Sequence, residues 1–297
     1  MSCPKSGAVV GNRNRHDWEQ TIPLHPSGVA IHFACSRWRS DMTKESGIQM
    51  LVATMHQPKG DFSLLEKMNI QSDAIVCNQC DRFSVDEFSW KGHSIRWFCF
   101  NERGVGLNRN NALMRATADF VVFCDDDMVF ADGYPERLCQ GFRDTPQADL
   151  LVFNIEGRRP ETRSRRVGRF GFLRYGAARI AARTASLRRQ GILFHLCFGG
   201  GTEHSHGEDT IFLSDCLRKG LAIHTFPVCL ARLSDNRPST WRNAHPDKFF
   251  VDQGALFRQV SPGFWPLWCL QDAVRHQRLY GRNWLSAWKL MLENRPE

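Results

Sequence analysis

The chain of 297 residues contains no run near the ~18 apolar residues that a membrane-spanning helix needs. Its N-terminus lacks the apolar stretch of a signal peptide, so the expectation is a cytoplasmic protein, soluble or peripheral on the inner face of a membrane. No internal repeat is present and no low-complexity tract beyond an arginine bias, which removes solenoids and arrays. The eleven cysteines are scattered and odd in number, and several stand in apolar strand-like runs (Cys77, Cys99, Cys124). That pattern fits buried reduced thiols better than a disulfide framework. Cys77 and Cys80 form a C-x-x-C, but no second pair with finger-like spacing follows, so a zinc site is not expected.

What is abundant is positive charge. A formal net charge of +8 implies affinity for something anionic: nucleic acid, acidic lipid or nucleotide phosphates. No nucleic-acid motif or aromatic stacking platform accompanies it, so no nucleic acid is expected as a partner. Apolar residues make up 42% of the chain, enough to build the core of one large α/β domain. Residues 1–47 are polar, weakly patterned and rich in Arg, Ser, His and Pro, and read as a weakly structured arm. A main domain follows over 48–257, and 258–297 reads as an amphipathic helical tail.

Met50 to Met55, Asp73 to Asn78, Ser94 to Phe100 and Leu150 to Ile155 read as strands, and Phe62 to Met68 as a short helix. After Gly104-Val105-Gly106, the spacing of Leu107, Ala112, Leu113 and Ala116 predicts an amphipathic helix. A second helix is predicted to carry Arg179, Arg183, Arg188 and Arg189. Strand and helix in alternation predict a mainly parallel sheet flanked by helices.

The most informative stretch is Asp119-Phe-Val-Val-Phe-Cys-Asp-Asp-Asp127. Its apolar run reads as a buried strand that ends in Asp125, Asp126 and Asp127. Three like charges at a strand end are hard to keep ionised together without a cation. Oxygen-only ligands of this kind suit Mg²⁺ or Mn²⁺, which in turn hold a substrate's phosphates. In parallel sheets such carboxyl ends are where ligands bind. The second motif is Gly199-Gly200-Gly201 followed by Gly207-Glu208-Asp209-Thr210. Residues 210 to 219 read as a helix, which sets Glu208 and Asp209 at its start, where exposed amides favour a charged carboxylate. The pair serves either as an ordinary N-cap or as a base that takes a proton from a substrate hydroxyl.

Taken in order, Gly104-Val-Gly-Leu-x-Arg109-Asn-x-Ala112, the acidic-ended strand, a long basic insert, the three glycines and Gly207-Glu208-Asp209 resemble family 2 glycosyltransferases of the GT-A fold. The likeness runs from about Ile48 to Phe257 and is nearest to bacterial enzymes of capsular and surface polysaccharide synthesis. The resemblance implies a metal-dependent, inverting transfer from a nucleotide-sugar donor to a glycan or lipid-linked acceptor. It places Asp125 and Asp127 as ligands of Mg²⁺ or Mn²⁺, and Asp125 and Asp126 against the donor. Asp209 matches the general base, with Glu208 supporting it or touching the acceptor. Thr54, His56 and Asp81 fall where the family holds the nucleoside, and Arg109 where a basic or polar residue approaches the donor.

The chain departs from the family in three places. Thr54-Met55-His56-Gln57 replaces the usual Pro-x-Tyr-Asn, the Gln-x-x-Arg-Trp of processive synthases is missing, and Arg242 follows Ser239-Thr240-Trp241 where an aromatic is common. A single-sugar transferase is therefore expected. A sugar nucleotidyltransferase is the rival enzyme, although Met55 to Gly60 matches its phosphate loop poorly. A non-enzymatic basic nucleic-acid or membrane-binding protein is the rival outside catalysis.

Arg158, Arg159, Arg163, Arg165, Arg166 and Arg169 fall within twelve residues and read either as a solvated loop or as a flap meeting an anionic donor or acceptor. His195, His204, His206 and His224 surround the second motif, with a structural role expected for each. The tail carries Trp265, Trp268, Trp284 and Trp288 among basic residues, a composition that suits a packed terminal helix or an anionic membrane surface.

Overall fold

The computed structural model describes residues 47–234 and 245–293. The arm expected over 1–47 lies outside them save for its last residue, as does Ser239-Thr240-Trp241-Arg242. The elements are β1 (Ile48–Met55), α1 (Ser63–Lys67), β2 (Asp73–Gln79), β3 (Ser84–Trp90), β4 (His93–Phe100), α2 (Val105–Arg115), β5 (Phe120–Asp125), β6 (Met128–Phe130), α3 (Tyr134–Asp144), β7 (Leu150–Ile155), β8 (Ile180–Arg183), α4 (Thr184–Gln190), α5 (Glu208–Arg218), β9 (Ile223–Leu233), α6 (Asp247–Val260), α7 (Trp265–Tyr280) and α8 (Trp284–Leu292).

Among the described residues these strands form one nine-stranded sheet in the order β3-β4-β2-β1-β5-β8-β7-β9-β6. The expected parallel pairing holds for β4-β2-β1-β5 and for β7-β9. The pairs β3-β4, β5-β8, β7-β8 and β6-β9 are antiparallel, so the sheet is mixed. The chain moves outward from β1 through β2 to β4 and then returns to β5 on the other side of β1. That reversal opens a crevice at the carboxyl ends of β1 and β5, the ligand-binding position of open α/β sheets.

Strand alternation explains the layering. Met50, Val52, Ala74, Val76 and Val122 face a core shared with Leu64 and Leu65 of α1 and Leu138 and Phe142 of α3. Leu51, Ile75, Cys77, Val121 and Phe123 face the opposite core, shared with Ala112 and Leu113 of α2 and Phe212 and Leu213 of α5. Cys77 and Cys80 fall into different cores, so the C-x-x-C does not bring its two thiols together. Cys77, Cys99 and Cys124 are buried free thiols, as expected.

The helix predicted to carry Arg179 and Arg183 begins only at Thr184. Ile180 to Arg183 is instead β8, because Ile180, Ala181 and Ala182 pair with β7 between two hydrophobic layers. The displaced arginines tie down backbone carbonyls: Arg179 Nε donates to Phe153 O at 2.8 Å and Arg183 Nε to Ala148 O at 2.8 Å.

The C-terminal helices form a third packed unit around Phe250, Phe257, Cys269, Ala273, Ala287 and Met291. Helices α6 and α8 meet so closely that a Cβ on Gly254 would lie 1.8 Å from the Met291 carbonyl oxygen. Trp288 Nε1 donates to Pro266 O at 3.2 Å, so this tryptophan packs inward. The unit begins at Asp247 and straddles the boundary expected at 258. Among the described residues no helix is long and apolar enough to cross a membrane.

Candidate active site

The parallel register sets Ala53 beside Asp125, so β5 ends opposite Ala53, two residues before β1 does. From there Thr54 Oγ1 donates to Asp126 Oδ2 at 2.6 Å, and Asn108 Nδ2 of α2 donates to Thr54 O at 3.2 Å. Thr54, Asp125, Asp126 and Asp127 line a cleft of about 370 Å³ together with Gln79, Asn108, Arg109, Gly200, Gly201 and Glu208.

Arg109 connects the two acidic motifs. Its side chain is only 6% exposed, and it donates from Nη2 to Asp125 Oδ1 and from Nη1 to Glu208 Oε1, both at 2.8 Å. Burial alone would lower its pKa, but Asp125 and Glu208 more than offset this and hold the guanidinium charged. The Phe194 ring, 5.4 Å from the guanidinium carbon, covers it. The sequence reading set Arg109 against the donor; the structure shows it as the clamp that brings the start of α5 to the end of β5.

The triple glycine serves the same junction. Gly199 has φ +105°, and a Cβ there would lie 2.6 Å from Val105 and 2.8 Å from Glu208. Val105 N donates to Gly200 O at 3.0 Å, which joins the glycine loop to the start of α2. Any side chain at Gly199 would push Glu208 off Arg109.

Glu208 and Asp209 are neighbours on the first turn of α5, where successive side chains diverge by about 100°. Glu208 faces the acidic cleft, while Asp209 lines a separate cavity of about 770 Å³. This second cavity lies between the loop after β7, which supplies Arg165, Phe170 and Arg174, and helices α6 and α7, which supply Gln253, Trp268, Asp272 and Arg275. Asp209 Oδ1 accepts from Thr210 N at 2.7 Å, and among the described residues its Oδ2 has no hydrogen bond. Burial first, and then the adjacent Glu208, push its carboxyl up to about 6.

Thr54, Arg109, Asp125, Asp126, Asp127 and Glu208 are thus assembled in one place, with Asp209 behind them. His56 and Asp81 do not line the cleft. His56 is an exposed left-handed residue whose amide bonds Gln79 O at 2.9 Å, and Asp81 is exposed and paired with Arg103. Sequence reasoning missed Gln79 and Asn108. Gln79 Nε2 donates to Gly104 O at 3.0 Å, and Asn108 Oδ1 is buried without a partner among the described residues. A signal for Asn108 was its place beside Arg109 in the glycine-started helix. His204 and His206 are hydrogen-bonded to α6 through Asp252 and Gln253.

The donor set can be weighed as a metal site. Four carboxylates and one guanidinium line the cleft, so a diphosphate would meet repulsion there unless a cation stood between. Among the described residues no three His, Cys, Asp or Glu side chains form an all-protein metal cage. Two carboxylates completed by substrate phosphates are the usual way of holding Mg²⁺, so Asp125 and Asp127 fit such an ion.

Residues 85–200 match the family model for glycosyl transferase family 2. The match includes Arg109 and the acidic triplet and stops short of Glu208 and Asp209. Among solved structures, the fold is similar to S. aureus TarS 1-349 in complex with UDP-GlcNAc, with TM-score 0.55, 14% identity, and coverage of 83% of this chain and 76% of that one. The same protein in complex with UDP gives TM-score 0.51 and 16% identity over 72% of this chain, which spans 65% of the TarS chain. These likenesses establish the mixed α/β fold, a central sheet flanked by helices, shared with GT-A-like glycosyltransferases. No curated protein matches by sequence.

Proposed function

We propose that the chain is an inverting glycosyltransferase that moves a sugar from a nucleotide-sugar donor to a glycan or lipid-linked acceptor in surface polysaccharide synthesis. The observation that carries this reading is the division made at Glu208 and Asp209. One carboxylate is locked to Arg109 beside the acidic strand end, and the next opens into a cavity of about 770 Å³. A diphosphate leaving group needs its growing charge neutralised, and the acceptor needs a base on the opposite side. The acidic cleft would meet the first need through a cation held by its carboxylates, and the second cavity offers the base.

In the step proposed, the acceptor oxygen bonds the anomeric carbon while the bond from that carbon to the diphosphate oxygen breaks. The hydroxyl proton passes to Asp209, the nucleoside diphosphate departs on the Asp125 side, and the anomeric configuration inverts. Asp125 and Asp127 would hold a Mg²⁺ or Mn²⁺, which would supply positive charge to the leaving phosphates. Arg109 holds Glu208 on the donor side, turned from the acceptor. Basic and apolar residues exposed on the C-terminal helices, among them Leu267, Arg278 and Leu279, support an anionic membrane surface as the place where a lipid-linked acceptor is met.

The direct test is thermal-shift protection by UDP, GDP, CDP and TDP with and without Mn²⁺. One nucleotide is expected to stabilise the protein only with metal, and that nucleotide's sugars to be transferred. Undiminished turnover by chelator-stripped protein, or a liganded structure with the pyrophosphate away from Asp125 and Asp127, would overturn the reading.

A further inference from the structure

We infer that the acceptor bound beside Asp209 is an anionic saccharide, its ring laid against the stacked pair of Phe170 and Trp268, where Phe170 is exposed, and its acidic group held by Arg275 and Arg174. This rests on the transferase reading and specifies what the second cavity selects. Trp268, Asp272 and Arg275 recur at helical spacing and so share one face of α7, the face that walls the cavity. Phe170, from the arginine-rich loop opposite, stacks on Trp268 with ring centroids 5.9 Å apart. The two walls therefore meet in an aromatic platform of the kind that accepts the apolar face of a sugar ring.

Charge on the walls is unequally satisfied. Arg165 and Arg174 share one carboxylate, Glu161, at 2.9 and 3.0 Å, and Tyr175 donates to the same group at 2.8 Å. One carboxylate cannot neutralise two guanidiniums. Arg275 has no ion pair or hydrogen bond among the described residues. Asp272, one helical turn away, instead accepts from His276 Nδ1 at 2.9 Å and from Tyr280 Oη at 2.5 Å. Two arginine forks thus face one cavity with donors to spare, an arrangement that matches carboxylate or phosphate oxygens.

The test compares a glucuronic-acid-terminated disaccharide with its neutral glucose counterpart, using the donor that the nucleotide panel selects. Transfer to the acidic acceptor should exceed the neutral one by about tenfold or more in kcat/KM. Arg275→Ala should reduce that ratio towards one and Arg275→Lys should restore part of it. A disaccharide phosphate and a polyprenyl-diphosphate-linked disaccharide separate a charge on the sugar from a charge on a lipid anchor. Binding followed by tryptophan fluorescence reads the same preference without turnover. Equal use or binding of acidic and neutral acceptors, or an Arg275→Ala preference equal to the unaltered one, overturns the inference. Loss of metal-dependent nucleotide protection would instead sink the transferase reading.

Discussion

Glu208 and Asp209 are adjacent carboxylates on one helical turn, yet they belong to different chemical environments. Glu208 is 12% exposed and its carboxylate is bonded to the buried guanidinium of Arg109. Asp209 has lost most of its water without bonding a cation among the described residues, and burial first, then Glu208, push its carboxyl up to about 6 against the pull of Arg109. The difference shows that a helix start does not give its acidic residues a common role. The direction each side chain takes, and what packs there, makes one a structural anchor and suits the other to the proton-accepting role proposed for it.

The largest break in this comparison should come from Asp209→Asn. Transfer should fall by about 10²–10⁴-fold with metal-dependent nucleotide binding retained, as measured by kcat and thermal shift. Near-normal transfer would assign the base elsewhere. Arg109→Met should act on the other carboxylate by leaving Glu208 buried without a counterion. A loss of about 3 kcal/mol in urea unfolding is expected, the low end for a broken buried pair because Asp125 is 39% exposed and partly screened.

A pH profile sharpens the contrast more gently. Asp209 must be deprotonated to accept a proton, and its carboxyl lies above the ordinary range, so the rate should rise with pH through about 6. Between pH 5 and 7 the ionised fraction, and with it kcat, should grow about tenfold, and a flat profile there would contradict the assignment. The smallest effect is expected from Gly176→Ala, whose new Cβ would sit 3.1 Å from Asp209 Oδ2. A carboxylate moved by a few tenths of an ångström should cost roughly fivefold in kcat, since about 1 Å of misplacement costs about 10²-fold. The same substitution should leave nucleotide protection intact.

The buried strands and the two acidic motifs could be read from the chain because their signals are local. Phe120 to Cys124 is apolar enough to be a strand wherever it packs, and Glu208 and Asp209 follow glycines that can only begin a new element. The edge strand Ser84 to Trp90 was not visible, since it is largely solvated and carries Asp86 and Glu87. Nor was β8, where Ile180 to Arg183 follow helical company in sequence and take strand form only because β5 and β7 flank them. His56 and Asp81 follow their strands as read, but His56 takes a left-handed turn and Asp81 pairs with Arg103, and neither lines the cleft.

The sequence by itself determined that an apolar strand would end in three aspartates and that a second acidic pair would start a helix, because hydrophobic spacing and glycine placement act over a few residues. Only the tertiary structure decided that Arg109 would join those motifs, that Asp209 would face away from them, and that an arginine loop and α7 would wall the cavity in front of it. Those outcomes depend on groups far apart along the chain coming within hydrogen-bonding distance, which packing alone arranges.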